Sequence, residues 1–143
     1  MARVCLWAVL INLVFHQLFL PITVSGSSMM PTYKSGTRNL VSRISYYKNQ
    51  PQRGDVVVLE LGQREDRLIK RIVGMPGESI AIVDGRIQVN GKPLQDSYST
   101  ARIPSTTMPI RLGSQEYFVI GDNRATSVFG LVERSQIVGR VLF

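Results

Sequence analysis

Between Arg3 and Lys34 the chain carries no charged side chain, and the apolar part of that interval, residues 4–24, constrains the fold more than any other feature. A helix of roughly 20 predominantly apolar residues spans the hydrocarbon core of a bilayer. The run therefore reads as a transmembrane helix, with residues 1–24 as an N-terminal anchor and residues 25–143 as one domain outside the membrane. Arg3 precedes the run, and the positive-inside rule keeps that short end in the cytoplasm. Pro21 is expected to end the helix or kink it near the outer interface. Asn12 and His16 lie four residues apart on one helix face, which a single span tolerates. The competing reading is a cleavable secretory signal. The length of the run and the poor small-residue pattern of Ile22-Thr23-Val24-Ser25-Gly26 favour an uncleaved anchor.

After the anchor the chain reads as mainly β, a compact antiparallel domain long enough to bury a core without staples. Residues 55–61, 68–73, 80–83, 87–89, 116–120 and 137–143 are short runs rich in valine, isoleucine and aromatics. Asp84-Gly85 joins two of them as a two-residue hairpin turn would, Asn90-Gly91 forms a second turn, and Pro76-Gly77 closes the run before it. Residues 95–114, rich in serine, threonine and proline, read as an exposed loop or a poorly ordered excursion. The net charge of +7 is spread along the chain without a basic block or an aromatic stacking pattern, which argues against a nucleic-acid partner. It suits either ordinary solubility or contact with anionic lipid headgroups. Cys5 is the one cysteine, so no intramolecular disulfide forms, and with no histidine or cysteine cluster neither a metal nor an organic cofactor is expected.

Two features point to chemistry. Ser27 and Ser28 come shortly after the apolar run, and Lys70, with Arg71 beside it, stands among the aliphatic residues of the strand-like run 68–73. A serine hydroxyl is a weak nucleophile at neutral pH and needs a proton acceptor nearby, usually histidine. His16 is the one histidine and lies inside the apolar run, so the base must be another group. Lysine can serve only if it is largely neutral, which burial brings about by disfavouring the ammonium. On a strand, Leu68, Lys70 and Ile72 share one face, while Arg67, Ile69, Arg71 and Val73 share the other. Lys70 is then the single charge between two large aliphatics.

Four blocks in order resemble those of type I signal peptidases, membrane-bound serine proteases with a Ser-Lys dyad. They are Ser28-Met29-Met30-Pro31-Thr32, Gly54-Asp55-Val56-Val57, the run from Lys70 to Glu78, and Gly121-Asp122-Asn123-Arg124 with Ser127. The resemblance runs from about Val24 to the C-terminus. It implies that Ser28, directly before Met-x-Pro, is the nucleophile and Lys70 the general base. It also implies that Ser127 orients the lysine amine and that Asp122 and Asn123 hold the loop. Met29, Met30 and Pro31 would form a short extended segment against an extended substrate. The implied activity is removal of signal peptides from exported precursors by a single-pass, monomeric enzyme at the outer face of the plasma membrane. Its partners would be precursors and membrane lipids. Two departures stand out. The family's Asp-Ser-Arg after the last serine is missing, Val128-Phe129-Gly130 following at once, and Gly26 occupies the position two before the nucleophile, where some members carry a hydroxyl. An oxyanion hole would then rely on backbone donors, the Ser28 N–H among them. A self-cleaving Ser-Lys protease and a catalytically silent anchored β domain that binds exported proteins stay open as alternatives.

Overall fold

In the computed structural model, which describes residues 2–62, 67–95, 97–99 and 101–142, the apolar run divides into two elements. Helix α1 (Ala2–Leu18) takes the first part and strand β1 (Phe19–Thr23) the second. This corrects the expected single helix over residues 4–24: α1 has 17 residues, and among the described residues no helix is long and apolar enough to cross a membrane. The cause is strand pairing. Phe19-Leu20-Pro21-Ile22-Thr23 lies antiparallel to β2 (Arg38–Ser42), with Phe19 opposite Ser42 and Thr23 opposite Arg38. Leu20 and Ile22 then pack against a core of Met29, Val41, Val56, Val58 and Val141, contacts that a continued helix would forgo. Pro21 neither ends nor kinks α1. It sits in an outer strand, where a missing N–H is tolerated.

The remaining strands are β3 (Val56–Glu60), β4 (Arg67–Gly74), β5 (Ser79–Val83), β6 (Arg86–Val89), β7 (Lys92–Pro93), β8 (Thr107–Arg111), β9 (Glu116–Ile120), β10 (Gly130–Glu133) and β11 (Ile137–Val141). They form a seven-stranded sheet in the order β1-β2-β11-β3-β4-β9-β10 and a four-stranded sheet in the order β7-β6-β5-β8. Every described pairing is antiparallel. Both two-residue turns close as their residues dictate. Asp84 and Gly85 (φ +50° and +72°) join β5 to β6, and Asn90 and Gly91 (φ +52° and +77°) join β6 to β7.

Residues 95–114 are not simply an exposed loop. Thr107–Arg111 forms β8 on the open side of β5, with Ile110 opposite Ile80, and Ile103 and Leu112 are buried. The local pattern lacks alternation, and the order comes from β5 as a template and from the Ile82 N–H, which donates to Thr107 Oγ1 at 3.0 Å.

The core explains why β3 is apolar at successive positions rather than at alternate ones. Val57 and Leu59 pack with Ile72, Val119, Tyr117 and Ile137, whereas Val56 and Val58 pack with Met29 and Val41 in a second cluster. A strand covered on both faces reads as a continuous hydrophobic run. A third cluster joins Val73, Phe118 and Ile120 of the large sheet to Ile80, Ile82 and Ile87 of the small one. The sheets thereby bury one another around the ends of β4 and β9, where the candidate site lies.

Gly139 lets β11 close against β2, since a Cβ there would be driven into the Ser42 carbonyl oxygen and the Val41 side chain. Gly139→Ala should therefore lower the unfolding free energy by about 1–3 kcal/mol in a chemical denaturation experiment. An unchanged midpoint would show that the two strands do not approach so closely.

Candidate active site

The loop between β1 and β2 is closed at its base, where the Val24 N–H donates to Thr37 O at 2.9 Å and the Gly36 N–H to Val24 O at 2.8 Å. Met29 is 1% exposed and plugs into the Val41–Val56–Val58–Val141 core. Ser28, directly before it, is thereby held at the protein surface and is partly exposed. Two sequence expectations need correction. Residues 28–32 form a turn rather than an extended segment, with the Met30 N–H on Ser27 O at 3.1 Å and the Tyr33 N–H on Met29 O at 2.9 Å. Met29 is a core anchor, while Met30 and Pro31 remain exposed beside Ser28. The burial of the Met29 thioether side chain draws the backbone inward and forces the turn.

Lys70 lies in β4 opposite Val57 and is 7% exposed. Burial lowers its pKa from the ordinary lysine value, because an ammonium loses hydration that the neutral amine scarcely needs. Its amine donates to Ser127 Oγ at 3.2 Å. That hydroxyl also accepts the Gly121 N–H at 2.7 Å and donates its own proton to Val128 O at 3.1 Å. With its proton directed at Val128, Ser127 turns lone pairs toward Gly121 and Lys70. A neutral lysine that gives one N–H to Ser127 keeps its own lone pair for another partner.

Gly121 brings the serines together. A Cβ at this position would collide with both the Ser28 carbonyl oxygen and Ser127 Oγ, so only glycine allows the two to approach. Next to it, the Asn123 N–H donates to Ser28 O at 3.0 Å, and Asn123 Nδ2 donates to Ser27 O at 3.2 Å. Asp122 is fully buried. Its Oδ1 accepts Arg71 Nε at 2.7 Å, and its Oδ2 accepts Arg71 Nη2 at 2.6 Å and Thr32 Oγ1 at 2.5 Å.

Arg71 and Thr32 are the residues that sequence reasoning passed over. Alternation places Arg71 on the face opposite Lys70, but that face is covered too, and its partner Asp122 is 51 positions away. A basic residue beside the lysine and an acid beside Gly121 were the available signal. The loop also closes without the missing Asp-Ser-Arg: Phe129 stacks on Phe118 at 5.6 Å and Val128 points outward.

A groove of about 570 Å³ runs past Ser28, bordered by the end of β1 with Val24 and Ser25 after it, and by residues 67–69 of β4. β1 is the outer strand of its sheet, and the pairing of β4 with β9 begins only at Arg71, so both borders are strand edges. Among the described residues no three His, Cys, Asp or Glu side chains gather as a metal site requires.

Over residues 1–143 the sequence matches the family described as signal peptidase, peptidase S26. The chain belongs to the S26 family. This S26 chain is 34% identical over 131 residues to the signal peptidase I of Leptolyngbya laminosa, an alignment covering 83% of this chain and 64% of that protein. It is 32% identical over 146 residues to signal peptidase I T of Bacillus subtilis, covering 92% and 76%. It thus spans a little under two thirds of the first relative's length. The crystal structure of a signal peptidase I from Enterococcus faecalis matches with a TM-score of 0.55 and 25% identity, covering 66% of this chain and 98% of that one.

In this S26 chain the buried lysine should oppose folding. Its folded-state pKa is lowered, so between the folded and unfolded values the unfolded chain binds more protons, and stability rises with pH across that interval. Below the folded value the full penalty applies. Lys70→Met leaves Ser127 still bonded to the Gly121 N–H and Val128 O. The variant should have a higher unfolding free energy than the wild type at pH 7 and a flatter pH dependence above it, as read by urea titration. A loss of about 1 kcal/mol or more, the size of a typical destabilising substitution, would contradict this.

Proposed function

We propose that this chain is a serine endopeptidase that removes signal peptides from exported precursors through a Ser28–Lys70 dyad. The observation that carries the reading is the buried Lys70 amine held by Ser127 Oγ, with Ser127 and Ser28 both packed around Gly121. An unperturbed lysine, with a pKa near 10.4, is neutral in roughly one molecule in 2,500 at pH 7, and each unit of depression raises that fraction about tenfold. Burial is therefore what makes this lysine a usable base. Ser28 Oγ attacks the scissile carbonyl while the neutral Lys70 amine takes its proton. Backbone donors, the Ser28 N–H among them, hold the oxyanion. Lys70 passes the proton to the leaving amine, which departs as the C–N bond breaks and leaves an acyl ester on Ser28. Lys70 then takes a proton from water, whose oxygen attacks the ester; the bond from the acyl carbon to Ser28 Oγ breaks, and Lys70 returns the proton to that oxygen as the carboxylic product leaves.

The precursor lies extended in the groove beside Ser28, with its backbone bonded to the edges of β1 and β4 as an added strand and a small residue before the scissile bond. Met30 and Pro31 form the rim. Helix α1 carries apolar, exposed side chains around its circumference, among them Val4, Leu6, Trp7 and Ile11, and is about 25 Å long at 1.5 Å per residue. It enters the bilayer and leaves the β domain on the extracytoplasmic side of the plasma membrane, where precursors emerge. The enzyme acts there as a monomer. A silent binding domain would have no use for a lysine whose burial opposes folding, and this favours the active reading.

Incubating the full chain in membranes with a signal-bearing precursor tests the proposal. The wild type should cleave in trans, while Ser28→Ala, Lys70→Ala and the double variant fall to one common residual level, because members of a catalytic unit act non-additively. Wild-type activity in Ser28→Ala, or cleavage of the chain by itself alone, would refute it.

A further inference from the structure

All three guanidinium nitrogens of Arg71 donate in the plane of the group: Nε and Nη2 bond Asp122, and Nη1 bonds Gly54 O at 2.6 Å. The face of the group is the side left to cover. The Tyr98 ring lies on it, 3.5 Å from Arg71 Cζ to the ring centroid. Tyr98 comes from the stretch between β7 and β8, remote from both catalytic blocks in sequence, and reaches this place because residue 54 is glycine. A Cβ on Gly54 (φ +92°) would meet the Tyr98 hydroxyl at 2.9 Å.

Tyr98 also separates two hollows. One, of about 190 Å³, borders Arg53 and Gly54; the other, of about 310 Å³, borders Met30, Asp122 and Asn123; Tyr98 lines both. Removing the ring would join them and bring water onto the ion pair. The attraction between two charges weakens about fourfold when the effective dielectric constant rises from 20 to 80.

We propose that Tyr98 is a positioning residue, whose ring seals the Arg71–Asp122 pair from water and so keeps Lys70, Ser127 and Ser28 in register. The route is short. Arg71 adjoins Lys70 in β4, Asp122 adjoins Gly121, whose N–H bonds Ser127 Oγ, and Thr32 ties the Ser28 turn to the same carboxylate. With no Asp-Ser-Arg after Ser127, this carboxylate is a charged tie between that loop and β4. The inference rests on the proposed dyad, but the seal can be read without catalysis.

The test compares the full-length wild type with Tyr98→Ala and Tyr98→Phe. In Tyr98→Ala, kcat for precursor cleavage should fall about tenfold, the scale set by a modest misplacement and a lost cation–π contact, with KM little changed and the loss deepening as salt is raised. The acidic limb of the kcat profile should move to higher pH, because a Gly121–Ser127 loop loosened from Arg71 no longer covers Lys70, and the water it admits favours the ammonium. Tyr33, pushed above the ordinary phenol range chiefly by burial, faces Arg71 and Asp122 but does not titrate in that limb. Amide exchange at Gly121 and Asn123 should quicken, and Tyr98→Phe, which keeps the ring, should restore every property. Tyr98 is 43% exposed, so both variants should fold, which thermal melting checks. If the wild type fails to cleave, the proposed function falls, while the exchange rates still decide the role of Tyr98. Wild-type exchange and salt response in Tyr98→Ala, or a Tyr98→Phe variant as impaired as Tyr98→Ala, would overturn the proposal.

Discussion

The buried ion pair between Arg71 and Asp122 joins three stretches of chain that the fold brings together from far apart. Arg71 belongs to the lysine strand, Asp122 to the turn after β9, and Thr32, bonded to the same carboxylate, to the nucleophile turn. Buried pairs of this kind are poor sources of net stability, because desolvation offsets most of the attraction. Removing one partner nevertheless costs about 3–5 kcal/mol, since it strands the other. The pair matters here for its geometry. A guanidinium fork on a carboxylate has one preferred alignment, so the three stretches meet in one arrangement.

The same pair has an electrostatic consequence for the lysine. A carboxylate bonded to Lys70 would hold it charged and useless as a base. Asp122 is committed to Arg71 and Thr32, and what the Lys70 amine meets is the neutral hydroxyl of Ser127. Desolvation then acts with little opposition and lowers the lysine pKa. Arg71, the neighbour that remains charged, sits on the other face of the strand and takes up the acid. Ser127 contributes direction, since its proton is spent on Val128 O and its lone pairs face the amine.

Much of this was legible in the sequence because its causes are local. The hairpins at Asp84-Gly85 and Asn90-Gly91, the apolar strands and the interruption by Lys70 can each be read within a window of a few residues. The misreadings share one origin, long-range pairing. Phe19-Leu20-Pro21-Ile22-Thr23 is apolar enough to prolong a helix, and becomes a strand because β2 is there to pair with it. β8 orders on β5. Met29 reads as a surface contact beside a serine until the loop folds it into the core. Arg71 with Asp122 and Tyr98 with Arg71 lie tens of residues apart, beyond the reach of any periodicity.

The central claim is that Lys70 is a buried amine able to be neutral under working conditions, and titrating that amine tests it most directly. With lysine labelled at the ε position, the resonance that disappears in Lys70→Met identifies Lys70, and its shift can be followed by NMR as pH is raised on the folded wild-type chain. The predicted result is a transition displaced below the ordinary lysine pKa near 10.4. A Lys70 transition at the ordinary value would mean that the amine stays charged at neutral pH, and would contradict its assignment as the base.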